Sequence, residues 1–183
     1  MSNDSVTVNV IIDDMIFNKF SMFESFHRRR AYLSPLIFAT IMSVSAIICL
    51  IMGGMGLILG ATLLFVGLGL PAFRISKIFR AIYAQTKLLD LKNPKTVYSL
   101  HFTDAPDGIE VTNHGDGDEP LRYEWKSIHG VYRVRGCIYL YVLPEKAYLL
   151  PDGQAVEGTD ALLLMLTEML PPEKLHGKYK INH

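Results

Sequence analysis

The stretch from Ala31 to Phe73 contains no Asp, Glu, Lys, Arg or His, and this constrains the fold more than any other feature of the chain. A helix that spans a bilayer needs about 20 apolar residues, and the stretch is roughly twice that length. Its centre holds the cluster Gly53-Gly54-Met55-Gly56, which is typical of a turn. We therefore predict a transmembrane hairpin over residues 31–73, with helices at about 33–52 and 57–73. A buried hairpin in a soluble domain is disfavoured, because so small a chain cannot cover this much apolar surface.

Basic residues flank the predicted hairpin on both sides. Cytoplasmic flanks of membrane proteins carry the excess of Lys and Arg, so both termini are predicted to be cytoplasmic. The same side chains are candidate contacts for anionic lipid headgroups. They are Arg28, Arg29, Arg30, Arg74, Lys77 and Arg80.

Small residues recur at helical spacing in both predicted spans, with Ala39 and Ser43 in the first and Gly56 and Gly60 in the second. Such pairs let helix backbones approach closely. Two interpretations follow, homodimerisation and packing of the hairpin against itself, and the second is favoured. The spans contain no ionisable residue, which argues against a transporter or a channel.

The formal net charge is zero, but the charges are distributed unevenly. Residues 74–95 hold six Lys or Arg and one acid, whereas residues 96–183 hold 13 acids and eight Lys or Arg. A basic segment beside the bilayer suits the anionic cytoplasmic leaflet. Nucleic-acid binding is not expected, because it requires a basic face on the domain itself. Cys49 and Cys137 lie in different predicted regions, so no disulfide is expected and a reducing compartment fits.

The N-terminal segment, residues 1–30, is predicted to be a strand followed by an amphipathic helix. Apolar and polar residues alternate from Ser5 to Ile12, and Asp13 or Asp14 can cap the helix. A lone strand is not stable, so we predict that this one completes the downstream sheet. The apolar helix face either packs on the cytoplasmic domain or lies in the bilayer interface. That face consists of Ile16, Phe17, Phe20, Phe23 and Phe26.

Residues 74–95 are predicted to form a basic linker helix, either a connector or an interfacial helix on anionic lipid. From Thr96 the hydrophobic period changes to two, which indicates a β domain over residues 96–172. Six strands are predicted, then a helix from Ala161 to Leu170, and residues 173–183 form a tail. The strands are Val97–Thr103, Gly108–Thr112, Leu121–Trp125, Val131–Arg135, Cys137–Leu143 and Lys146–Leu150.

Together with the N-terminal strand, these elements predict an α+β membrane protein. Its soluble part would be an open barrel of about seven strands with a C-terminal helix, which is the pleckstrin-homology-like (PH-like) plan.

One local pattern comprises Tyr123-Glu124-Trp125-Lys126-Ser127-Ile128, Tyr139-Leu140-Tyr141-Val142 and Ala147-Tyr148-Leu149-Leu150-Pro151. In this pattern and in the order of its elements, the chain resembles the YcxB-like family of bacterial membrane proteins. The resemblance implies location in the bacterial inner membrane, a C-terminal PH-like domain, and no known activity or catalytic residues. Asp152-Gly153 stands where a basic residue is typical of the family, which weakens any headgroup contact there.

The local pattern also has a structural interpretation. Trp125 ends a predicted strand and is followed by one helical turn, so Trp125 and Ile128 are expected to be buried in the core. Pro151 closes the last motif. We assign all three a structural role.

No group of residues indicates catalysis, a metal or a cofactor. The acidic residues of 113–119 could bind a hard cation, but an EF-hand's later Glu and flanking helices are absent, so a solvated loop is favoured. The histidines lack zinc-site spacing. Arg133 and Arg135 share a strand face, and pairing with domain acids such as Glu124 is favoured over phosphate binding.

We therefore expect a non-enzymatic protein that displays its domain for binding or scaffolding of a protein or peptide. The alternatives are sensing of anionic lipid through the basic flanks, and an accessory subunit of a transporter or a membrane enzyme. The expected partners are the lipid bilayer and either another protein or a second copy of the chain.

Overall fold

The computed structural model describes residues 5–88, 96–114 and 119–177. The chain forms two compact units, one from Met1–Ile16 with Leu91–His183 and the other from Phe17–Asp90. The first unit contains the β-strands, and the second is helical.

The helical unit is entered through helix α1 (Asp14–Met22). Asp13 caps this helix, because its Oδ1 accepts a hydrogen bond from the Ile16 amide at 2.6 Å, which confirms one of the two predicted caps. A π-helix (Phe23–Arg28) follows directly. Helices α2 (Leu33–Met52) and α3 (Met55–Leu88) then form the hairpin.

Helices α2 and α3 are both long and apolar enough to cross a membrane. Helix α2 has 20 residues and a mean hydropathy of 2.4, and the segment Met55–Lys87 has a mean hydropathy of 2.0. Their outward side chains are largely exposed, for example Phe65 at 81% and Ile51 at 80%. An exposed apolar surface of this kind favours association with a membrane.

Close packing between α2 and α3 depends on glycine. A Cβ atom added at Gly60 would lie 2.7 Å from Leu50 Cγ and 2.9 Å from the Ala46 carbonyl oxygen, and one added at Gly67 would lie 2.6 Å from Met42 Cβ. Ala46 is completely buried. These contacts support the interpretation that the small residues pack the hairpin against itself.

Helix α3 continues through Pro71 to Leu88, so the second span and much of the predicted linker form one helix. Near its C-terminal end, Thr86 Oγ1 donates a hydrogen bond to Asn18 Oδ1 at 2.9 Å. The rings of Phe26 and Phe79 lie 5.8 Å apart. The segment with the phenylalanine stripe therefore contacts α3, a partner that neither predicted alternative included. The prediction for residues 89–95 lies outside the described residues.

The described residues of the strand-containing unit form two four-stranded sheets, ordered β1-β2-β3-β4 and β7-β6-β5-β8. Strand β1 pairs antiparallel with β2, with Val8 opposite Leu100. This confirms the prediction that the N-terminal strand joins the downstream sheet. The strands are β1 (Ser5–Ile11), β2 (Thr96–Thr103), β3 (Ile109–Asn113), β4 (Leu121–Tyr123), β5 (Gly130–Val134), β6 (Cys137–Leu143), β7 (Lys146–Pro151) and β8 (Leu175–His176).

Backbone pairing does not close the two sheets into one barrel within the described residues. The α+β class is as predicted, whereas the PH-like plan stays a prediction. The structure also differs at the predicted tail, because Leu175–His176 pairs parallel with β5. The end of that tail, residues 178–183, lies outside the described residues.

The core of this unit lies between the sheets and helix α4 (Thr159–Met169). Every second residue of β1 is completely buried, namely Val6, Val8 and Val10. This is the pattern of a strand with one face on the core. From α4, Leu162 and Leu166 are buried as well.

Candidate functional site

Four basic side chains line one groove in the helical unit. Arg29 and Arg30 precede α2, and Arg74 and Lys77 lie on α3. The groove has a volume of about 510 Å³, within the usual range for ligand sites. Sequence reasoning identified these four residues as flanks of the hairpin, and the fold brings them to one place. The remaining lining residues are Ala31, Ser34, Ile78 and Ala81.

The backbone before α2 is irregular, and this irregularity places the arginines. The Arg29 amide donates to the Glu24 carbonyl at 2.9 Å, and the Ala31 amide donates to the Ser25 carbonyl at 3.0 Å. Arg30 has a φ of 48°, the left-handed region that residues other than glycine seldom adopt. π-Helical turns and such outliers are enriched at functional sites, which makes this turn a candidate one.

Glu24 contacts two consecutive arginines, Arg28 and Arg29, which differ in exposure. Its carboxylate accepts hydrogen bonds from Arg28 Nη1 at 3.1 and 3.2 Å, and the Arg28 side chain is only 17% exposed. Arg29 Nε also contacts Glu24, at 2.9 Å, but the Arg29 side chain stays 62% exposed. Arg28 therefore serves to hold the turn, whereas Arg29 lines the groove.

No carboxylate lines the groove among the residues that the structure describes. Four cations, of which Arg29 also contacts Glu24, give the groove a net positive potential, which favours an anion that can accept several hydrogen bonds. Phosphate is such an anion, and arginine binds it in a bidentate manner.

The sixth predicted contact, Arg80, lies outside the groove lining. Its guanidinium carbon is 5.9 Å from the centre of the Phe73 ring, and Lys77 Nζ is 5.2 Å from the same centre. Lys77 thus contributes to the groove and to this cation–π contact, whereas Arg80 contributes to the cation–π contact and does not line the groove.

The residues of the structural motif lie in the core of the strand-containing unit. Trp125 is 4% exposed, and its indole N–H donates to the Thr103 carbonyl at 2.9 Å. Ile128 is 1% exposed. Pro151 is buried at the end of β7. These positions are consistent with a core role.

Arg133 pairs with a domain acid, but the partner is Asp152 and not the suggested Glu124. Both terminal guanidinium nitrogens donate to the Asp152 carboxylate, with Nη2 at 2.9 Å from Oδ2. Asp152 follows β7, and the pairing of β7 with β6 and of β6 with β5 brings it beside Arg133. This strand order could not be obtained from the sequence.

A cluster of Tyr123, Lys146 and Tyr148 was not recognised from the sequence. Lys146 Nζ donates to the Tyr123 hydroxyl at 2.9 Å and lies 5.4 Å from the centre of the Tyr148 ring. Burial opposes ionisation of Tyr123, but hydrogen bonds from Lys146 and Tyr148 outweigh it and lower the Tyr123 pKa. Lys146 and Tyr148 lie two residues apart on one strand, and this spacing was the available sequence signal. The sequence gives no signal that Tyr123 approaches them from the other sheet.

The described residues hold no group of three or more His, Cys, Asp or Glu suited to a metal ion. His101 Nδ1 lies 3.0 Å from Thr7 Oγ1, and His114 Nε2 lies 2.7 Å from Ser99 Oγ. Residues 115–118 of the predicted acidic loop lie outside the described residues.

Comparison with models of protein families, with curated proteins and with solved structures finds no match for this chain. The resemblance to the YcxB-like family therefore stays a prediction, and functional inference depends on the geometry of the groove.

Proposed function

We propose that this protein is a membrane-anchored receptor for anionic phospholipid headgroups, which it binds in the groove of Arg29, Arg30, Arg74 and Lys77. The convergence of these four cations, without a lining carboxylate, carries the proposal. The groove lies where the uncharged helices give way to basic residues, which is the level of lipid phosphates when such helices span a bilayer.

By the positive-inside rule we propose that this groove lies at the cytoplasmic leaflet, with both termini in the cytoplasm. The inner membrane as the location rests on the resemblance to the YcxB-like family. In this arrangement the hairpin displays the domain, with its proposed PH-like plan, on the cytoplasmic face. Tethering raises the local concentration of the domain for any partner at the same membrane.

We rank lipid binding above capture of a peptide by strand addition at the edge of β1. Strand addition requires unpaired backbone groups at a sheet edge. On the outer edge of β1, the Asn9 amide donates to the Gln154 carbonyl at 3.3 Å, and the Val156 amide donates to the Thr7 carbonyl at 2.9 Å. This edge is already occupied by the chain itself, so a peptide would need a different edge.

Native mass spectrometry of the full-length protein tests the proposal. Wild-type protein in micelles should retain phosphatidylglycerol in preference to phosphatidylcholine. Each basic residue near an anionic surface contributes about 1 kcal/mol. The double variant Arg74→Gln/Lys77→Gln should therefore lose about 2 kcal/mol, or roughly thirtyfold in binding constant.

The matched control is Arg80→Gln/Lys87→Gln. It removes the same charge from the same helix, and neither residue lines the groove. Its preference for phosphatidylglycerol should be nearly that of wild type. Equal losses in both double variants would show diffuse attraction instead of a site, and absence of any preference in wild type would overturn the proposal.

A further inference from the structure

An apolar cleft adjoins the basic groove. It is lined by Ser34, Pro35 and Phe38 of α2 and by Leu70, Pro71 and Arg74 of α3, with a volume of about 210 Å³. Ser34 and Arg74 line both cavities, so the cleft and the groove are neighbours that share part of their walls.

The cleft lies just beyond the close packing of the two helices. At Gly67 an added Cβ would meet Met42 at 2.6 Å, whereas Leu70, three residues later on α3, lines the cleft. Pro71 follows within one turn of α3. Because proline has no N–H and its ring displaces the preceding turn, it interrupts the regular helix surface at this level.

We propose that one phospholipid occupies both cavities, with its phosphate in the basic groove and the first part of an acyl chain in the cleft. This inference rests on the proposed function and adds the apolar half of the ligand. The order of the lining residues matches the order of groups in a phospholipid. Cations surround the phosphate, Ser34 and Arg74 lie at the glycerol level, and Phe38 and Leu70 contact the chain.

The chemistry selects a lipid over a soluble phosphate. A soluble anion would use the groove alone and would leave the apolar cleft unfilled. A lipid that reaches from the groove past Ser34 and Arg74 into the cleft satisfies both the cations and the apolar lining. The protein would then bind a single lipid at a defined place instead of a general anionic surface.

Photo-crosslinking of the full-length protein in liposomes tests this inference. The probe is a trace of phosphatidylglycerol with a diazirine on its acyl chain close to the glycerol. Adducts should concentrate on the peptides that contain Phe38 and Leu70. Unlabelled phosphatidylglycerol should compete with the probe severalfold better than phosphatidylcholine, and soluble glycerol phosphate should not compete.

A pair of variants tests the cleft itself. Leu70→Trp fills the cleft and should reduce the adducts severalfold. Leu68→Trp places the same bulk on the same helix outside the cleft lining, and Leu68 and Leu70 are similarly exposed, at 58% and 56%. Leu68→Trp should therefore label as wild type does.

Adducts spread evenly over the exposed helix faces, or equal labelling of the two variants, would overturn the inference. If wild-type protein still prefers phosphatidylglycerol in native mass spectrometry and loses that preference in Arg74→Gln/Lys77→Gln, the proposed headgroup site stands without the cleft. If phosphatidylcholine competes as well as phosphatidylglycerol and the preference is absent, both proposals fail. Competition by soluble glycerol phosphate would identify a soluble ligand and would also overturn the inference.

Discussion

The hydroxyl group of Tyr98 joins the two sheets through both backbone groups of Leu149. It accepts a hydrogen bond from the Leu149 amide at 2.8 Å and donates one to the Leu149 carbonyl at 3.1 Å. Tyr98 belongs to β2 and Leu149 to β7, and both residues are 6% exposed. The Tyr98 hydroxyl thus gives Leu149 the two hydrogen bonds that a neighbouring strand would give. It also links two sheets that backbone pairing does not close into one barrel.

Replacement of Tyr98 by Phe should destabilise the strand-containing unit. It would leave a buried amide and a buried carbonyl without their partner, at a cost of about 1–3 kcal/mol. Urea unfolding of the full-length protein in micelles, followed by fluorescence of Trp125, the single tryptophan, would measure this loss. Tyr83→Phe is the control, because Tyr83 is 73% exposed and its hydroxyl has access to solvent. Equal midpoints for the two variants would contradict the assigned role of Tyr98.

Alkaline pH should destabilise the strand-containing unit, and Cys137 should determine the pH at which its stability begins to fall. Burial raises the pKa of the Cys137 thiol to about 12, whereas an unfolded cysteine has a pKa of about 8.5. As pH rises above about 8.5, the unfolded state loses this proton while the folded state keeps it. The stability that is complete below that pH is therefore lost progressively as pH rises toward 12.

Thermal unfolding at several pH values would check this expectation. Cys137→Ala should flatten the pH dependence between about pH 8.5 and 10, where unfolded tyrosines are still protonated. Above about pH 10 both proteins should lose stability, because burial also raises the pKa of Tyr139 to about 12. A thermal unfolding midpoint of the wild-type protein that does not change up to about pH 10 would contradict the raised pKa of the Cys137 thiol.

Much of the fold could be predicted from the sequence because the relevant signals are local. The uncharged stretch from Ala31 to Phe73 and the period of two after Thr96 each depend on neighbouring residues. The pairing of β1 with the downstream sheet could also be predicted, because a lone strand is not stable and must join a sheet. The short strand Leu175–His176 was missed because two residues carry no measurable period, and its pairing depends on the position of β5.

The basic groove could be predicted only in part. Its charges are visible beside the hairpin. Glu24 contacts both Arg28 and Arg29, however, and charge alone does not show that the Arg28 side chain is 17% exposed and the Arg29 side chain 62% exposed. That difference depends on the π-helical turn and on the left-handed conformation of Arg30. Neither has a reliable sequence signal, because both arise from how the chain turns into α2.

Gln154 should protect the outer edge of β1 from unwanted pairing. Its Oε1 accepts from the Ile11 amide at 2.8 Å, and its Nε2 donates to the Ile11 carbonyl at 3.0 Å. Gln154→Ala removes both hydrogen bonds, at a cost of about 1 kcal/mol for each. Exposed strand edges promote association between chains, so the variant should also self-associate more readily.

Hydrogen exchange at the Ile11 amide and light scattering on mild heating would measure these two effects. Glu173→Gln is a control, since Glu173 lies in the short 3₁₀ turn Pro172–Lys174, which leads into β8 of the other sheet. Unchanged exchange at Ile11 in Gln154→Ala would show that the side chain does not protect this edge.

Gly60→Val should disrupt the hairpin without changing the number of chains in the assembly. The new Cβ would lie 2.7 Å from Leu50 Cγ and 2.9 Å from the Ala46 carbonyl, and overpacking of this kind costs about 1–3 kcal/mol. Gly69→Val adds the same side chain to the same helix where a Cβ meets nothing within 4 Å, so it should have little effect.

Hydrogen exchange in α2 and α3 would report the packing, and native mass spectrometry would report the number of chains. If the glycine face instead joined two copies, Gly60→Val would convert a dimer to a monomer while exchange within each hairpin stayed close to that of Gly69→Val. Faster exchange in Gly60→Val at an unchanged mass is the outcome that the contacts of Gly60 with Leu50 and Ala46 predict.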